Sequence, residues 1–341
     1  MKLETMKIGI AALAAVGCVW CASAAGKIPA LQGDAAFRLK TMAENIYGVR
    51  PDFKGFVPKA TVVSTAEDAA VGGIKKVIRL NTMTPLGEKE FDAIGYFPKT
   101  DKKVPVFVNP LFKMHDLEDG SCPVKYILER GVAVVIYDYN TVLKDDKTVL
   151  NGITRKENDW GAISTWAFAN SRIADYLQTD PQADAAHLGV IGHSRLGKTA
   201  MWTGATDKRF TYVCPNNSGC LGARLSTRNV CGETIKRITT WFPHWFAPKA
   251  TTFADKDDEM PFDQHWALST IAPRLLHIGS ADQDWWACPS GEFAAFEVTK
   301  QAYGDDWKNV GYHVRHGGHA ITPEDWKEYL DFAKSHGWAI K

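Results

Sequence analysis

The sequence predicts an α/β protein: a mostly parallel central sheet with helices on both faces, forming a three-layer sandwich. Three observations lead there. Short apolar, β-branched runs recur at Val104–Val108, Val132–Tyr137, Phe210–Cys214, Arg274–Gly279 and Gly311–Arg315, a composition suited to strands buried on both faces. Helical stretches lie among them, at Gly161–Leu177, Glu292–Tyr303 and Pro323–Ser335. In His187–Lys198 an apolar run ends at a glycine-bounded turn that holds a serine, and a helix-like stretch to about Thr206 follows. At 341 residues and 45% hydrophobic content, the chain is long enough to bury such a core.

The N-terminus reads as an export signal. Lys2 and Lys7 precede an apolar run from Ile8 to Trp20, too short to anchor in a bilayer, and Ala22-Ser23-Ala24 supplies a small-x-small cleavage site. Residues 1–24 are therefore expected to be a signal peptide, and 25–341 a single catalytic domain in the periplasm or medium. Lipid anchoring at Cys18 or Cys21 is the alternative, but the residues before each cysteine fit a lipobox poorly. Export implies an oxidising compartment in which disulfides persist. Cys122, Cys214, Cys220, Cys231 and Cys288 remain, an odd number, so not all can pair within the chain. Among these five there is no C-x-x-C and no His/Cys cluster at ligand spacing, so no metal site is expected. A net charge of +1 gives no footprint for nucleic acid or an anionic membrane. Twelve tryptophans suit core packing, and any that are exposed suit stacking on sugar rings.

Residues 25 to about 70 read as a leader with a helical patch at Ala35–Tyr47. Lys75–Met83 and Glu90–Phe97 alternate around Thr84-Pro85-Leu86-Gly87, as expected of an antiparallel hairpin at a sheet edge. A short helix ends at Gly131, a polar loop runs from Asp138 to about Asp159, and Gly161–Leu177 follows as an amphipathic helix. Thr322-Pro323-Glu324 caps the last helix.

The chemistry centres on Gly192-His193-Ser194-Arg195-Leu196-Gly197-Lys198. Its strand–serine–helix layout is that of an α/β-hydrolase elbow, although the second glycine falls one residue later than in G-x-S-x-G. An acyl-transfer serine needs a base, a group to orient the base, and oxyanion donors, in the chain order Ser, acid, His. Of His313, His316 and His319 after the last strand, His319 is favoured because it follows the Gly317-Gly318 turn. The loop after Arg274–Gly279 offers Asp282 and Asp284 as the acid. Glu233 and Glu292 are weaker candidates, since each sits at a helix start, where the dipole favours a carboxylate anyway. The Arg195 N–H is expected to serve the oxyanion, with its guanidinium either assisting there or clamping an anionic substrate. Lys198, one turn on, faces the same side. Two cations beside the serine suggest a substrate bearing a carboxylate; a solvated helix face is the plainer alternative.

These residues resemble a known family. Gly192–Lys198, Asn216-Asn217-Ser218-Gly219-Cys220, Gly232-Glu233-Thr234, Phe242-Pro243-His244-Trp245-Phe246, Asp284-x-Trp286-Ala287-x-Pro289-x-Gly291-Glu292-Phe293 and Gly318-His319 are similar to the glucuronoyl esterases, carbohydrate esterase family 15, of the bacterial type. The resemblance implies a serine esterase that cleaves the ester between 4-O-methyl-D-glucuronic acid on xylan and an alcohol of lignin. It assigns Ser194 as nucleophile, His319 as base and Arg195 as oxyanion helper, with Lys198, Glu233 and Trp286 contacting the uronate sugar. It implies no cofactor, and we expect a monomer.

Two departures matter. Asn217 stands where many members carry the triad acid as Glu, and an amide cannot stabilise imidazolium by charge; Asp284 aligns with an alternative Asp of bacterial members and takes over the role. Cys288 stands where the family usually has Asp, and Cys231 where it usually has an apolar residue. A Cys231–Cys288 disulfide is expected between these loops, against the alternative of two free thiols. Competing functional readings are another carbohydrate esterase of the acetyl-xylan type, a sugar-binding pseudo-enzyme if no acid supports His319, and an anchored interaction module.

Overall fold

Alternation along the central strands sets the architecture. In the strand β5 (Ala133–Asp138), Ala133, Val135 and Tyr137 point into one apolar cluster while Val134 and Ile136 point into another. β4 (Val104–Leu111) does the same, with Val104, Val106 and Val108 on one side and Phe107 and Leu111 on the other. Side chains with a period of two on a strand coated on both faces leave no solvent-facing row, which is why these segments are apolar throughout.

The computed structural model describes residues 26–114, 120–228 and 231–341. The expected signal peptide at 1–24 and the lipidation alternatives Cys18 and Cys21 lie outside the described residues. Before β4 come α1 (Ala35–Met42), which leads into a π-helical turn, then β1 (Ala60–Asp68), β2 (Gly73–Thr84) and β3 (Gly87–Pro98). After β4 follow α2 (Val124–Glu129), β5, α3 (Tyr139–Val142), α4 (Ala162–Leu177), β6 (Ala183–His193), α5 (Arg195–Thr206) and β7 (Phe210–Asn216). The chain continues through α6 (Ile235–Trp241), α7 (His265–Ser269), β8 (Leu275–Ala281), α8 (Pro289–Ala302), β9 (Val310–Arg315) and α9 (Pro323–Ser335). The described strands form one nine-stranded sheet in the order β1-β2-β3-β5-β4-β6-β7-β8-β9. Its first strands pair antiparallel, and β5-β4-β6-β7-β8-β9 are parallel.

The α/β architecture thus matches the expectation, with corrections in detail. The hairpin β2–β3 is not at the edge. Its outer side pairs with β1, a strand inside the stretch read as a leader. β1 is exposed along most of its length and is held by its backbone ladder, so it carries no buried face from which periodicity arises. Helix α4 is not a half-exposed amphipathic helix; almost every side chain is buried, because it packs beside both β2 and α5. Helix α8 starts at Pro289, three residues before the expected Glu292. Helix α6 follows the helix start expected at Glu233, and α7 lies in a stretch the sequence left unassigned. The last helix is as expected, with Thr322 and Asp325 capping each other's backbone N–H groups.

Candidate active site

Every side chain proposed for chemistry from this sheet sits at or beyond the carboxyl end of a parallel strand, where α/β sheets assemble their sites. Ser194 follows β6, Asn217 follows β7, Asp284 lies in the loop after β8 and His319 in the loop after β9. Ser194 has φ 58° and ψ −124°, a left-handed conformation that costs a non-glycine residue roughly 1–3 kcal/mol. Its N–H donates to the Asn216 carbonyl at 2.9 Å, and its own carbonyl accepts from the N–H groups of Gly197 and Lys198. The late glycine now has a reason. A Cβ on Gly192 would lie 2.1 Å from the Leu196 carbonyl oxygen, and one on Gly197 would lie 2.9 Å from the Asn216 oxygen and 3.0 Å from the Gly192 oxygen. The elbow turns between two backbones in contact, so glycine is required at both positions.

Ser194 Oγ lies 2.8 Å from His319 Nε2, and His319 Nδ1 lies 2.5 Å from Asp284 Oδ2. An ionised carboxylate only accepts, so Nδ1 carries the proton and Nε2 is left to accept from Ser194. Asp284 is buried. Burial alone would raise its pKa; the bonds from His319, Ala287 N–H and Asn217 outweigh it and hold the carboxyl below its ordinary range. Asn217 does not replace the acid. Its Nδ2 donates to Asp284 Oδ2 at 2.7 Å, so the amide steadies the carboxylate that faces His319. Asp282, the other candidate, is turned away: its carboxylate accepts from Gly317 N–H at 2.9 Å and pairs with His316 at 3.0 Å, shaping the loop that delivers His319. His313 bonds to Asp325 below the loop.

Arg195 opens α5, so its N–H has no carbonyl partner earlier in its own helix. Its guanidinium pairs with Asp145 and lies 4.9 Å from the centre of the Trp245 ring. Asp145 came from the loop read only as polar, and sequence reasoning missed it. It also accepts from His244 Nε2 at 2.7 Å, Trp245 Nε1 at 2.6 Å and the Tyr139 hydroxyl at 2.8 Å. Burial would raise this carboxyl, but the His244 bond, the Arg195 charge and the other donors push it well below the ordinary range. The only signal for this residue was the Pro243-His244-Trp245 run, which supplies two of its donors.

Lys198 is not on a solvated face. It is buried, with Nζ donating to the Ser218 carbonyl at 2.5 Å. Burial lowers its pKa, opposed by the charge of Glu233. Glu233 is buried too; burial raises its pKa, opposed chiefly by Lys198, and its Oε1 has no hydrogen-bond partner among the described residues. Trp286 is 40% exposed. Glu292 stands in the first turn of α8, as expected; it is fully buried, accepts from Gly219 N–H at 2.9 Å and Ser280 Oγ at 2.5 Å, and is raised to about 7 by burial. A second histidine that sequence reasoning passed over, His193, lies with its ring 4.5 Å from that of His319. Burial, and then the His319 charge, push it down to about 3, so it stays neutral beside the base.

Cys231 and Cys288 form a disulfide, with Cα atoms 5.4 Å apart. The bond joins the segment before Glu233 to the start of α8 and fits an extracellular protein. Cys122, Cys214 and Cys220 are buried free thiols. His319 also lines a cleft of about 450 Å³, with Leu111, Phe112, His193, Ala320 and Ile321 among its walls. Among the described residues no His/Cys/Asp/Glu group is arranged to hold a metal, and no helix is long and apolar enough to cross a membrane.

A largely parallel sheet carrying a strained serine elbow, with a histidine and a carboxylate in line behind it, defines an α/β hydrolase. The comparisons narrow the class. The family model described as "Glucuronyl esterase, fungi" matches residues 89–305. A carbohydrate esterase, MZ0003, from an unknown prokaryotic organism is 36% identical over 285 residues, covering 73% of this chain and 64% of that protein. The chain thus spans less than two thirds of that relative's length. Among solved structures, a promiscuous CE15 esterase from a marine bacterial metagenome superposes with TM-score 0.80 at 29% identity, covering 89% of this chain and 91% of that one. The glucuronoyl esterase from Solibacter usitatus superposes with TM-score 0.81 at 28% identity, covering 89% and 92%. The chain belongs to the glucuronoyl esterase family, carbohydrate esterase family 15.

Proposed function

We propose that the protein is an exported serine esterase that cleaves the ester between 4-O-methyl-D-glucuronic acid of glucuronoxylan and an alcohol of lignin. Residues 1–24 serve as its signal peptide and 25–341 form one catalytic domain acting as a monomer. The observation that carries this reading is the hydrogen-bonded line Ser194–His319–Asp284, joined by the buried Lys198 and Glu233, whose opposite charges act on each other. Ser194 Oγ attacks the uronyl carbonyl carbon and its proton passes to His319 Nε2, while Asp284 supports the imidazolium. The Arg195 N–H faces the developing oxyanion, with its guanidinium alongside. Collapse of the tetrahedral intermediate breaks the bond to the alcohol oxygen, which takes the proton back from His319. Water, deprotonated by the same nitrogen, then hydrolyses the acyl-enzyme. Lys198 donates to sugar oxygens, Glu233 accepts from a hydroxyl, and Trp286 offers the ring an apolar face. None of these steps uses a cofactor.

A second reading, a broader carbohydrate esterase acting on acetyl groups, is favoured by one observation: a relative of similar fold is described as promiscuous. Activity on methyl glucuronate and on acetylated xylose separates the two. Ser194→Ala should abolish turnover. Asp284→Asn should lower kcat by about ten-thousand-fold, the order seen when a triad acid becomes an amide. Near-normal turnover in Asp284→Asn would mean that the base is supported by something else, and the mechanism would fail.

A further inference from the structure

Trp241 and Trp286 expose more ring than a single sugar contact needs. Trp241 is 51% exposed and Trp286 is 40% exposed. They come from different segments, the end of α6 and the loop between β8 and α8, yet their rings are only 27° from parallel with centroids 6.2 Å apart. Arg237, one turn before Trp241, brings its guanidinium carbon to 4.0 Å from the Trp241 ring centre and 4.5 Å from that of Trp286. Among the described residues no carboxylate lies within ion-pair distance of Arg237, although its charge acts on Glu233. The two segments are fastened together. The Cys231–Cys288 disulfide joins them, the Glu233 N–H donates to the Trp286 carbonyl at 3.3 Å, and Thr234 caps α6 by accepting from the Arg237 N–H.

We propose that Arg237, Trp241 and Trp286 form an outer subsite for a neutral pyranose of the polysaccharide that carries the uronate. The proposal rests on the uronate-ester reading above. The leaving alcohol takes its proton from His319, so the alcohol portion lies on the His319 side, which has its own apolar cleft at Phe112 and Ile321. On the reading above the acyl portion meets Lys198, Glu233 and Trp286, and the glycan attached to it continues outward over Trp241, whose ring lies 6.2 Å from that of Trp286. An indole face matches the apolar C–H face of a pyranose, and a guanidinium without a carboxylate partner has donors to offer its hydroxyls. An aryl group has no need of those donors.

The test compares kcat/KM of the full chain on methyl glucuronate and on the same ester carried by a xylo-oligosaccharide. Trp307→Ala, an exposed tryptophan on the 304–309 segment, serves as control. Trp241→Ala and Arg237→Ala should each lose about fivefold to tenfold on the oligosaccharide ester, through KM, and less than twofold on the simple ester. Equal losses on both substrates would reduce Trp241 to a prop for Trp286, and no loss on either would remove the subsite; both outcomes overturn the proposal. Calorimetric titration of Ser194→Ala with an ester-free neutral xylo-oligosaccharide reads the subsite independently of turnover. Binding that Trp241→Ala weakens supports the subsite even if wild type cleaves no glucuronate ester, in which case the functional reading alone fails. Binding that Trp241→Ala leaves unchanged, or no binding at all, overturns it.

Discussion

Two buried carboxylates act on Arg195, the residue after Ser194, and they are finished to different degrees. Asp145 accepts from Arg195, His244, Trp245 and Tyr139, and its pKa is held low. Glu233 is as deeply buried, but one of its oxygens has no partner among the described residues and burial raises its pKa. A saturated carboxylate can hold a neighbour in place but has nothing left to give a ligand. An unsatisfied one, kept close to charge balance by Lys198, gains most when a ligand hydroxyl arrives. On the proposed function the contrast separates scaffolding from recognition: Asp145 holds Arg195, and Glu233 keeps an oxygen for a ligand.

Breaking the saturated side should cost most. Asp145→Ala strands Arg195, His244 and Trp245, so we expect a loss of stability of about 3–5 kcal/mol, as when one partner of a buried pair is removed. With Arg195 no longer aimed, kcat should fall by about a hundredfold, comparable to loss of one oxyanion donor. Thermal unfolding and steady-state kinetics read the two effects separately. The stability cost should shrink in acid. The native pKa of Asp145 lies below the unfolded value of about 3.9, so its contribution is present above that pH and is lost as the pH falls below it.

On the open side the effects should be smaller and of a different kind. Glu233→Gln leaves an acceptor at Oε1 but removes the charge that opposes buried Lys198, so a stability loss smaller than that of Asp145→Ala is expected, while KM for a glucuronate ester rises by about tenfold, near 1.4 kcal/mol. A fall in kcat with unchanged KM would assign Glu233 to the chemical step instead and remove the contrast with Asp145.

Glu292 tests the electrostatics alone. Its native pKa, about 7, lies above the unfolded value of about 4.3. Between these values the native state holds the extra proton, so stability falls as pH rises through this window and the penalty is complete above 7. Glu292→Gln keeps an acceptor for the Gly219 N–H and removes that slope. Its melting temperature should match wild type near pH 5 and exceed it at pH 8.

How much of this was legible in the sequence follows from how far each signal travels along the chain. Ser194 and His319 stand in short stretches whose glycines and flanking strands announce a turn, so local chemistry was enough to find them. The central strands were legible because burial on both faces leaves a continuous apolar run. β1 was not, since an exposed edge strand is held by backbone bonds that no side-chain pattern records. Asp145 was hidden for a related reason. Its meaning depends on Arg195 and His244, both far along the chain, and nothing in a polar loop says which of its carboxylates will be buried. Asn217 was noticed as a departure, but its role reversed in three dimensions: it is a donor to Asp284, a contact spanning two strands. The choice between Asp282 and Asp284, two residues apart, could only be made by the direction each side chain takes.

The contrast between the two carboxylates, and with it the uronate reading, is tested most directly by a ratio. The ratio is kcat/KM on methyl 4-O-methyl-glucuronate divided by kcat/KM on an acetylated xylose, for wild type and for Glu233→Gln. We predict that wild type favours the glucuronate ester strongly and that Glu233→Gln lowers the ratio by about tenfold, through the uronate substrate alone. Equal activity of wild type on both esters, with no change in Glu233→Gln, would contradict the assignment of Glu233 and Lys198 as readers of the sugar.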